Sequence, residues 1–233
     1  MRLNKYLAHA GVASRRESDR LIQEGMVSVN NQLVLDPAYD VKDSDEIMYD
    51  GKYLSIQEEI IVYMLNKPKN VITTAKDTHG RRIVLDYLPR NIRLFPIGRL
   101  DKNTTGLILL TNNGEIANYL MHPKNQIPRY YEVEIEGRLS DREIGKIKKG
   151  IFIGEGEFGK GEIVSQKTQK TRSIIHIRLK QGKKREVRRI FEFLGKKVYT
   201  LNRYQYGNLK LGDLAPGQWR GLSKEEIKKL RKK

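Results

Sequence analysis

Asp101 is an acidic residue surrounded by cations. It lies between Arg99 and Lys102 in the segment FPIGRLDKNTTGLILLTNNGE, which spans residues 95–115. An aspartate in a turn commonly hydrogen-bonds its own backbone, so a structural role is the first alternative. Neighbouring cations, however, keep a carboxylate ionised and therefore nucleophilic. Gly98 also permits an unusual backbone just before Arg99. We therefore predict a catalytic carboxylate at Asp101, with a turn residue as the alternative.

A second cluster of cations suggests a polyanionic partner. It has the sequence QGKKREVRR, residues 181–189, and is of the kind that holds phosphates. The chain of 233 residues has a net charge of +17, which suits nucleic acid or an anionic membrane. No apolar run approaches the roughly 18 residues that cross a bilayer, and MRLNKYLAHAG lacks the apolar core of a secretory signal. We therefore expect a cytoplasmic nucleic-acid-binding protein, with no membrane partner.

The residue types do not favour metal or thiol chemistry. There are no cysteines and only four histidines, and no two histidines have the local spacing of a zinc motif. A metal-dependent nuclease would need clustered carboxylates. The densest cluster is KDSDE, residues 42–46, which is more typical of a polar turn. We expect no metal, and the nuclease is the weaker alternative.

Residues 1–50 have the pattern of a helix, a second helix and a hairpin. Leu3 and Leu7 lie one helical turn apart, and Ser14 with Glu17 forms a capping box that opens the second helix. The segment MVSVNNQLVLD then alternates apolar and polar residues around two asparagines, which predicts a hairpin. A solvated basic helix is the alternative explanation of its charge. The order of elements resembles the S4 RNA-binding domain, and the family's basic positions are matched by Lys5, Arg15, Arg16 and Arg20.

The remainder of the chain is predicted to be mainly strands. Residues 51–59 read as a linker, and residues 60–233 as one larger domain. Apolar runs predict buried strands at 60–65 and 107–110, while RYYEVEIEG and RSIIHIRLK alternate as half-buried strands do. Strands and helices mix without a regular repeat, which favours an α+β fold over a doubly wound α/β fold. Helical spacing in KREVRRIFEFLG is shown by Val187, Ile190, Phe191 and Leu194.

Motifs along this larger domain resemble those of pseudouridine synthases that modify ribosomal RNA and carry an N-terminal S4 domain. The segment GRLDKNTTGLILLTNNGE resembles the catalytic motif of that family. LNKPKNVITT resembles its first strand motif, RYYEV its tyrosine motif and KKREVRRIFEFLG its third motif, all in the family's order. RYQYGNLKLGDLAPGQWRGL resembles the C-terminal stretch of the large-subunit branch. The likeness covers nearly the whole chain.

The resemblance implies roles for particular residues. Asp101 would be the nucleophile, Tyr131 rather than Tyr130 would pack on the flipped base, and Arg188 would pair with Asp101. Without the motifs, Tyr131 would read as an ordinary sheet tyrosine and Arg188 as a solvated arginine. The implied fold is an S4 domain plus a catalytic domain on a mixed, largely antiparallel sheet with flanking helices. The implied RNA contacts are Arg99, Lys67, Lys183, Lys184 and Arg185, besides the four cations of the S4 domain.

The implied reaction is the isomerisation of one uridine in ribosomal RNA to pseudouridine, without a cofactor. The implied partner is a structured stem-loop, most simply of the large subunit, bound by a monomer. A small-subunit target and a non-catalytic ribosome-assembly protein are the alternatives. Two positions depart from the family pattern. Asn70 replaces a glycine and still suits a left-handed backbone, whereas Glu186 adds a negative charge near the RNA-facing cations.

Overall fold

The computed structural model describes residues 1–56 and 59–230, which form two compact units. In the part of the chain that it describes, no helix is both long and apolar enough to cross a membrane. The N-terminal unit comprises Met1–Ile61, Asn91–Arg93 and Asn112–Gly114, and the C-terminal unit comprises Val62–Arg90, Leu94–Thr111 and Glu115–Lys233.

The N-terminal unit packs two helices against a small sheet. Its elements are α1 (Leu3–His9), α2 (Arg15–Gln23), β1 (Val27–Val29), β2 (Gln32–Leu33), β3 (Ile47–Tyr49) and β4 (Lys52–Tyr53). The predicted start of α2 is confirmed, because the Ser14 hydroxyl accepts a hydrogen bond from the Glu17 amide at 3.3 Å. The predicted hairpin is also confirmed: Asn30 and Asn31 both have positive φ, as a two-residue turn between β1 and β2 requires.

The segment predicted as a linker, residues 51–59, contains β4, which pairs with β3 in the order β2-β1-β3-β4. Gln57 and Glu58 of this segment lie outside the described residues. The bounds proposed for the two domains therefore stay predictions.

The C-terminal unit is built on one large sheet. Its strands are β5 (Val62–Lys67), β6 (Phe95–Ile97), β7 (Thr105–Thr111), β8 (Arg129–Glu136), β9 (Ile151–Phe152), β10 (Phe158–Gly159), β11 (Glu162–Gln169), β12 (Arg172–Leu179), β13 (Val198–Tyr206), β14 (Leu209–Lys210) and β15 (Trp219–Gly221). The helices that follow α2 are α3 (Gly114–Met121), α4 (Asp141–Lys149), α5 (Glu186–Phe193) and α6 (Lys224–Leu230).

The strand order of this sheet is β11-β12-β8-β13-β7-β5-β15, with β14 beside β13 and β6 beside β7. Among the described strands, β13 and β7 form the parallel pair and the other pairs are antiparallel. The remaining strands, β9 and β10, form a separate hairpin. The predicted α+β fold with a mixed, largely antiparallel sheet is confirmed.

Helices cover the sheet and bury its apolar side chains. Val187, Ile190 and Phe191 of α5 join the core formed with β8 and β12, as their helical spacing predicted. A second core lies between α3, α6 and the strands β5 and β7. Each helix therefore contributes one apolar face, and the polar face remains available to solvent.

The parallel contact of β7 with β13 leaves no room for a side chain at Gly106. Arg203 is the register partner of Gly106, and a Cβ atom built there would lie 2.8 Å from the Arg203 amide nitrogen. It would also overlap the Arg203 carbonyl oxygen and the Asn202 side chain. The φ of +100° is a conformation that residues with side chains rarely adopt. Glycine is therefore required where the two halves of the sheet meet.

Candidate active site

The loop between β6 and β7, which carries Asp101, is fixed through its backbone. The hydroxyl of Thr73 donates to the Leu100 carbonyl at 2.8 Å and accepts from the Leu100 amide at 3.3 Å. The amide of Asn70 donates to the Lys102 carbonyl at 2.9 Å. Asn70 itself has a φ of 67°, which confirms the predicted left-handed backbone. The residues on both sides of Asp101 are therefore held in place.

Lys67 adds a third anchor beneath this loop. Its ammonium donates to the carbonyls of Pro68 at 2.9 Å, Val71 at 2.8 Å and Lys102 at 3.3 Å. The side chain is fully buried, which contradicts the expectation that Lys67 contacts RNA. Because its ammonium already donates to three carbonyls, it is not available to a phosphate group. Burial lowers the pKa of Lys67 to about 8, and the negative charge of Asp101 opposes that change.

We expect Lys67→Met to lower the free energy of unfolding by about 2 kcal/mol or more, because buried carbonyls lose their donor. The loss should depend on pH. The pKa of Lys67 is about 8 in the folded chain and 10.5 as its ordinary value. Between these values the unfolded chain binds more protons, so the wild type gains stability as pH rises and the Met variant lacks that gain.

Urea unfolding of both proteins at pH 7 and pH 10 measures this difference. The exposed neighbour Lys69 provides the control, since Lys69→Met removes the same charge without burial. If the difference in free energy of unfolding between wild type and Lys67→Met were the same at both pH values, the lowered pKa of Lys67 would be contradicted.

The carboxylate of Asp101 does not cap its own turn. The Asp101 carbonyl accepts from the Thr104 amide at 3.0 Å, as in an ordinary turn. The carboxylate, by contrast, is 39% exposed, and its nearest ionic partner in the described ranges is Arg185, with Nη1 at 3.9 Å from Oδ2. A turn residue would use its carboxylate on nearby amides. This arrangement favours the chemical role over the structural alternative.

Arg188 contacts the Asp101 loop at a different point from the one predicted. Its Nη2 donates to the Asn103 carbonyl at 3.3 Å, whereas the ion pair with Asp101 is made by Arg185. The Nε of Arg188 is buried without a hydrogen-bond partner among the residues described. Burial lowers the pKa of Arg188, the positive charge of Arg185 lowers it further, and Asp101 opposes both. Two arginines thus face one carboxylate, and the exposed one reaches it.

A cavity of about 720 Å³ opens beside Asp101. It brings together six of the residues predicted from sequence: Arg99, Asp101, Tyr131, Lys183, Lys184 and Arg185. The polar side chains of its lining that the sequence did not predict as site residues are Thr73, His122, Arg129, Lys180, Gln181, Arg203 and Tyr206. The Asp101 carboxylate and the Tyr131 ring therefore share a cavity whose lining includes several cations, which suits reaction on a polyanion.

Arg203 forms a buried part of this lining. It is the register partner of Tyr131 across β13 and β8, and its side chain is 2% exposed. The Nε donates to the Leu107 carbonyl at 2.7 Å, and the guanidinium carbon lies 5.2 Å from the centre of the Tyr206 ring. Cation–π contact and a carbonyl partner stabilise such a buried charge. Arg203 therefore connects the floor of the cavity to the parallel strand pair.

Glu186 organises the cationic segment that borders the cavity. Its carboxylate accepts from the Gln181 side-chain amide at 2.5 Å and from the backbone amides of Lys183 at 3.1 Å and Lys160 at 3.4 Å. It is 4% exposed, and burial raises its pKa. The negative charge of Glu186 therefore lies near these cations, as expected, but its carboxylate is turned inward onto amide donors.

The predicted cations of the N-terminal unit lie on its two helices. Arg15, Arg16 and Arg20 are exposed on α2, and Lys5 lies on α1. Arg20 pairs with Glu17 of its own helix at 2.5 Å and with Glu24, the residue after the helix, at 2.6 Å. The exposed face of α2 is therefore a basic surface, although the charge of Arg20 is partly balanced.

Comparisons with known proteins identify the family of the chain. Residues 61–193 match the RNA pseudouridylate synthase family, and residues 1–47 match the S4 domain. The chain is 42% identical to ribosomal large subunit pseudouridine synthase B of Bacillus subtilis (strain 168), covering 99% of this chain and 95% of the relative. Its identity to the Yersinia pestis protein of the same name is 37%, covering 99% and 75%.

Among solved structures, a crystal structure of a pseudouridylate synthase has a TM-score of 0.71 and 26% sequence identity. The match covers 99% of both chains. The chain therefore belongs to the RNA pseudouridylate synthase family and is a pseudouridine synthase with an N-terminal S4 domain.

Proposed function

We propose that this enzyme converts one uridine of large-subunit ribosomal RNA to pseudouridine, with Asp101 as the nucleophile. The observation that carries the proposal is the Asp101 loop, which is fixed by its backbone while its carboxylate faces a cation-lined cavity. The names of the Bacillus subtilis and Yersinia pestis relatives support the large subunit as the source of the substrate. A cytoplasmic location and a monomeric state stay predictions.

The reaction breaks the bond between C1′ and N1, turns the base, and forms a bond between C1′ and C5. The proton on C5 is lost and N1 gains one, so the product is an isomer of the substrate. The base must first leave its stack, at a cost of a few kcal/mol. We propose that Arg99 occupies the vacated space. Asp101 then acts on the flipped nucleotide, and Tyr131 packs on its base and moves a proton.

We infer that the two arginines near Asp101 divide their roles when RNA binds. Arg185 is exposed and its contact with Asp101 is long, at 3.9 Å, so a phosphate group can replace that contact. Arg188 is half-buried, holds the loop through Asn103 and has a free Nε donor. Departure of Arg185 would leave Arg188 as the counter-charge of Asp101.

Arg188→Lys should therefore lower the rate at saturating RNA about tenfold or more, with little change in affinity. Lysine keeps the charge but loses the planar donor geometry that reaches a carbonyl and a carboxylate together. Arg185→Ala should instead weaken binding several-fold and reduce the salt slope by about one. Single-turnover rates and binding titrations at two salt concentrations measure both. Weaker binding by Arg188→Lys with an intact saturated rate would make Arg188 a phosphate contact.

For the S4 domain, we propose that the exposed face of α2 binds RNA phosphates. Arg16→Glu should then weaken RNA binding about fivefold at low salt, and less at high salt, because each phosphate contact releases counterions. Lys42→Glu makes the same change of charge elsewhere in the N-terminal unit and is the control. Equal losses for the two variants would indicate an effect of net charge alone.

The proposed substrate is tested by mapping pseudouridines in ribosomal RNA from cells with and without this gene. Loss of one site in large-subunit RNA is the expected result. Loss of a site in small-subunit RNA would support the alternative that this enzyme modifies the small subunit. Unchanged RNA from both subunits would contradict ribosomal RNA as the substrate.

A further inference from the structure

Three phenylalanines form an exposed cluster on the C-terminal unit. Phe152, Phe158 and Phe193 are 46%, 59% and 52% exposed, although each is a large apolar side chain. The ring centres lie 5.7 Å apart for Phe152 and Phe158 and 5.8 Å apart for Phe152 and Phe193, in edge-on arrangements. Contiguous exposed apolar surface of this kind commonly marks a binding site.

The cluster is held firmly, because the turn between β9 and β10 is attached to α5. Arg189 of α5 donates to the carbonyls of Ile153 and Gly154, both at 2.7 Å. It also pairs with Glu157 at 2.6 Å. A Cβ atom at Gly154 would lie 3.2 Å from the ring of Phe193, so glycine allows this close approach. The rings are therefore presented on a preformed surface.

The phenylalanine cluster adjoins the cavity that contains Asp101. The carbonyl of Phe158 accepts from the Lys183 ammonium at 2.9 Å and from the Gln181 side chain at 3.4 Å. Lys183 and Gln181 both line that cavity. Helix α5 also carries both Arg188, which contacts the Asp101 loop, and Phe193 at its end. A chain of phosphates lying along these cations would pass beside the rings.

We propose that the phenylalanine cluster is a stacking platform for an unpaired base of the RNA substrate, separate from the base that enters the Asp101 cavity. This inference rests on the proposed function. Unpaired bases bind proteins by stacking on aromatic faces, next to cations that hold the phosphates. Phenylalanine has no hydrogen-bonding group, so the platform would select for an unpaired base and tolerate different bases. It would thereby favour substrates in which the nucleotides around the target are unstacked.

The test uses the full chain and two probes with equal backbone charge: a fluorescent octamer of uridylate and an abasic octamer. The variants are Phe158→Leu, which keeps an apolar side chain without an aromatic face, and Phe158→Tyr, which keeps the face. Val164→Ala, at another exposed apolar residue, is the control. We expect Phe158→Leu to weaken binding of the uridylate octamer about tenfold. Binding of the abasic octamer and the unfolding midpoint should not change, and Phe158→Tyr should resemble the wild type.

Three outcomes would overturn the proposal. Equal binding of the uridylate octamer by wild type and Phe158→Leu would show that no base stacks there. Equal weakening of the binding of both octamers would indicate an effect on phosphate contacts or on the fold. A wild-type dimer in light scattering that Phe158→Leu converts to a monomer would make the cluster an interface between two copies. Octamer binding does not require turnover, so failure of the proposed function would appear separately, as absence of pseudouridine in wild-type reactions.

Discussion

Asp101→Asn is expected to abolish pseudouridine formation, with a loss of about a thousandfold or more in the saturated rate. In the proposed reaction the Asp101 carboxylate is the nucleophile, and the side-chain amide of asparagine is a much weaker nucleophile. RNA affinity should stay within a few-fold, because binding is shared among many phosphate contacts. Tritium release from RNA labelled at C5 of uridine measures turnover, and a filter assay measures binding.

Folding should be unaffected by the same substitution. The Asp101 carboxylate is partly exposed and its ion pair with Arg185 is long, at 3.9 Å, while backbone atoms hold the loop. Asp213→Asn is the control, since it removes an exposed carboxylate from the same unit. Substantial turnover by Asp101→Asn would show that Asp101 is not the nucleophile. Loss of turnover together with a lower unfolding midpoint would indicate a structural role for Asp101.

Gly106→Ala should be the most destabilising single-methyl substitution in the sheet, lowering the free energy of unfolding by about 4 kcal/mol. The added carbon meets backbone atoms of Arg203, which cannot move without separating β7 from β13. The positive φ adds further strain. Urea unfolding measures the loss, and we expect much of the variant to be insoluble.

Gly145→Ala provides a matched control for that result. Gly145 lies inside α4 and a Cβ there meets nothing within 4 Å. Alanine is a better helix former than glycine by up to about 1 kcal/mol, so this variant should be slightly more stable than the wild type. If Gly106→Ala unfolded at the same urea concentration as the wild type, the close contact of the two strands would be wrong.

Local patterns in the sequence were sufficient for much of the fold. The capping residues Ser14 and Glu17 located the start of α2, and the asparagine pair located the first hairpin. Alternation predicted β8 and β12, and helical spacing predicted α5. The cavity residues on these elements were found because motif resemblance identified them one by one. Each of these signals depends on residues close together in the chain, so it can be recognised in a single sequence.

Contacts that depend on distant parts of the chain were not predictable in the same way. β13, which lies in the middle of the sheet, has a mixed pattern in VYTLNRYQY because it is bulged and pairs with both β7 and β8. Arg203 was missed with it. The sequence motif around Lys67 predicts an RNA contact, because it does not show that three carbonyls surround the ammonium. The sequence likewise does not show that Arg185, rather than the predicted Arg188, pairs with Asp101, because that difference depends on how deeply each arginine is buried.

The backbone anchoring of the Asp101 loop has a consequence for how the enzyme can diverge. Leu100, Lys102 and Asn103 are all held through main-chain groups rather than through their side chains. The side chains of Lys102 and Asn103 are exposed, so they can be exchanged without moving the reactive carboxylate. The sequence of this loop can therefore vary at these two positions while the reaction is conserved. A reactive group positioned by main-chain atoms is thereby protected from much of the sequence change around it.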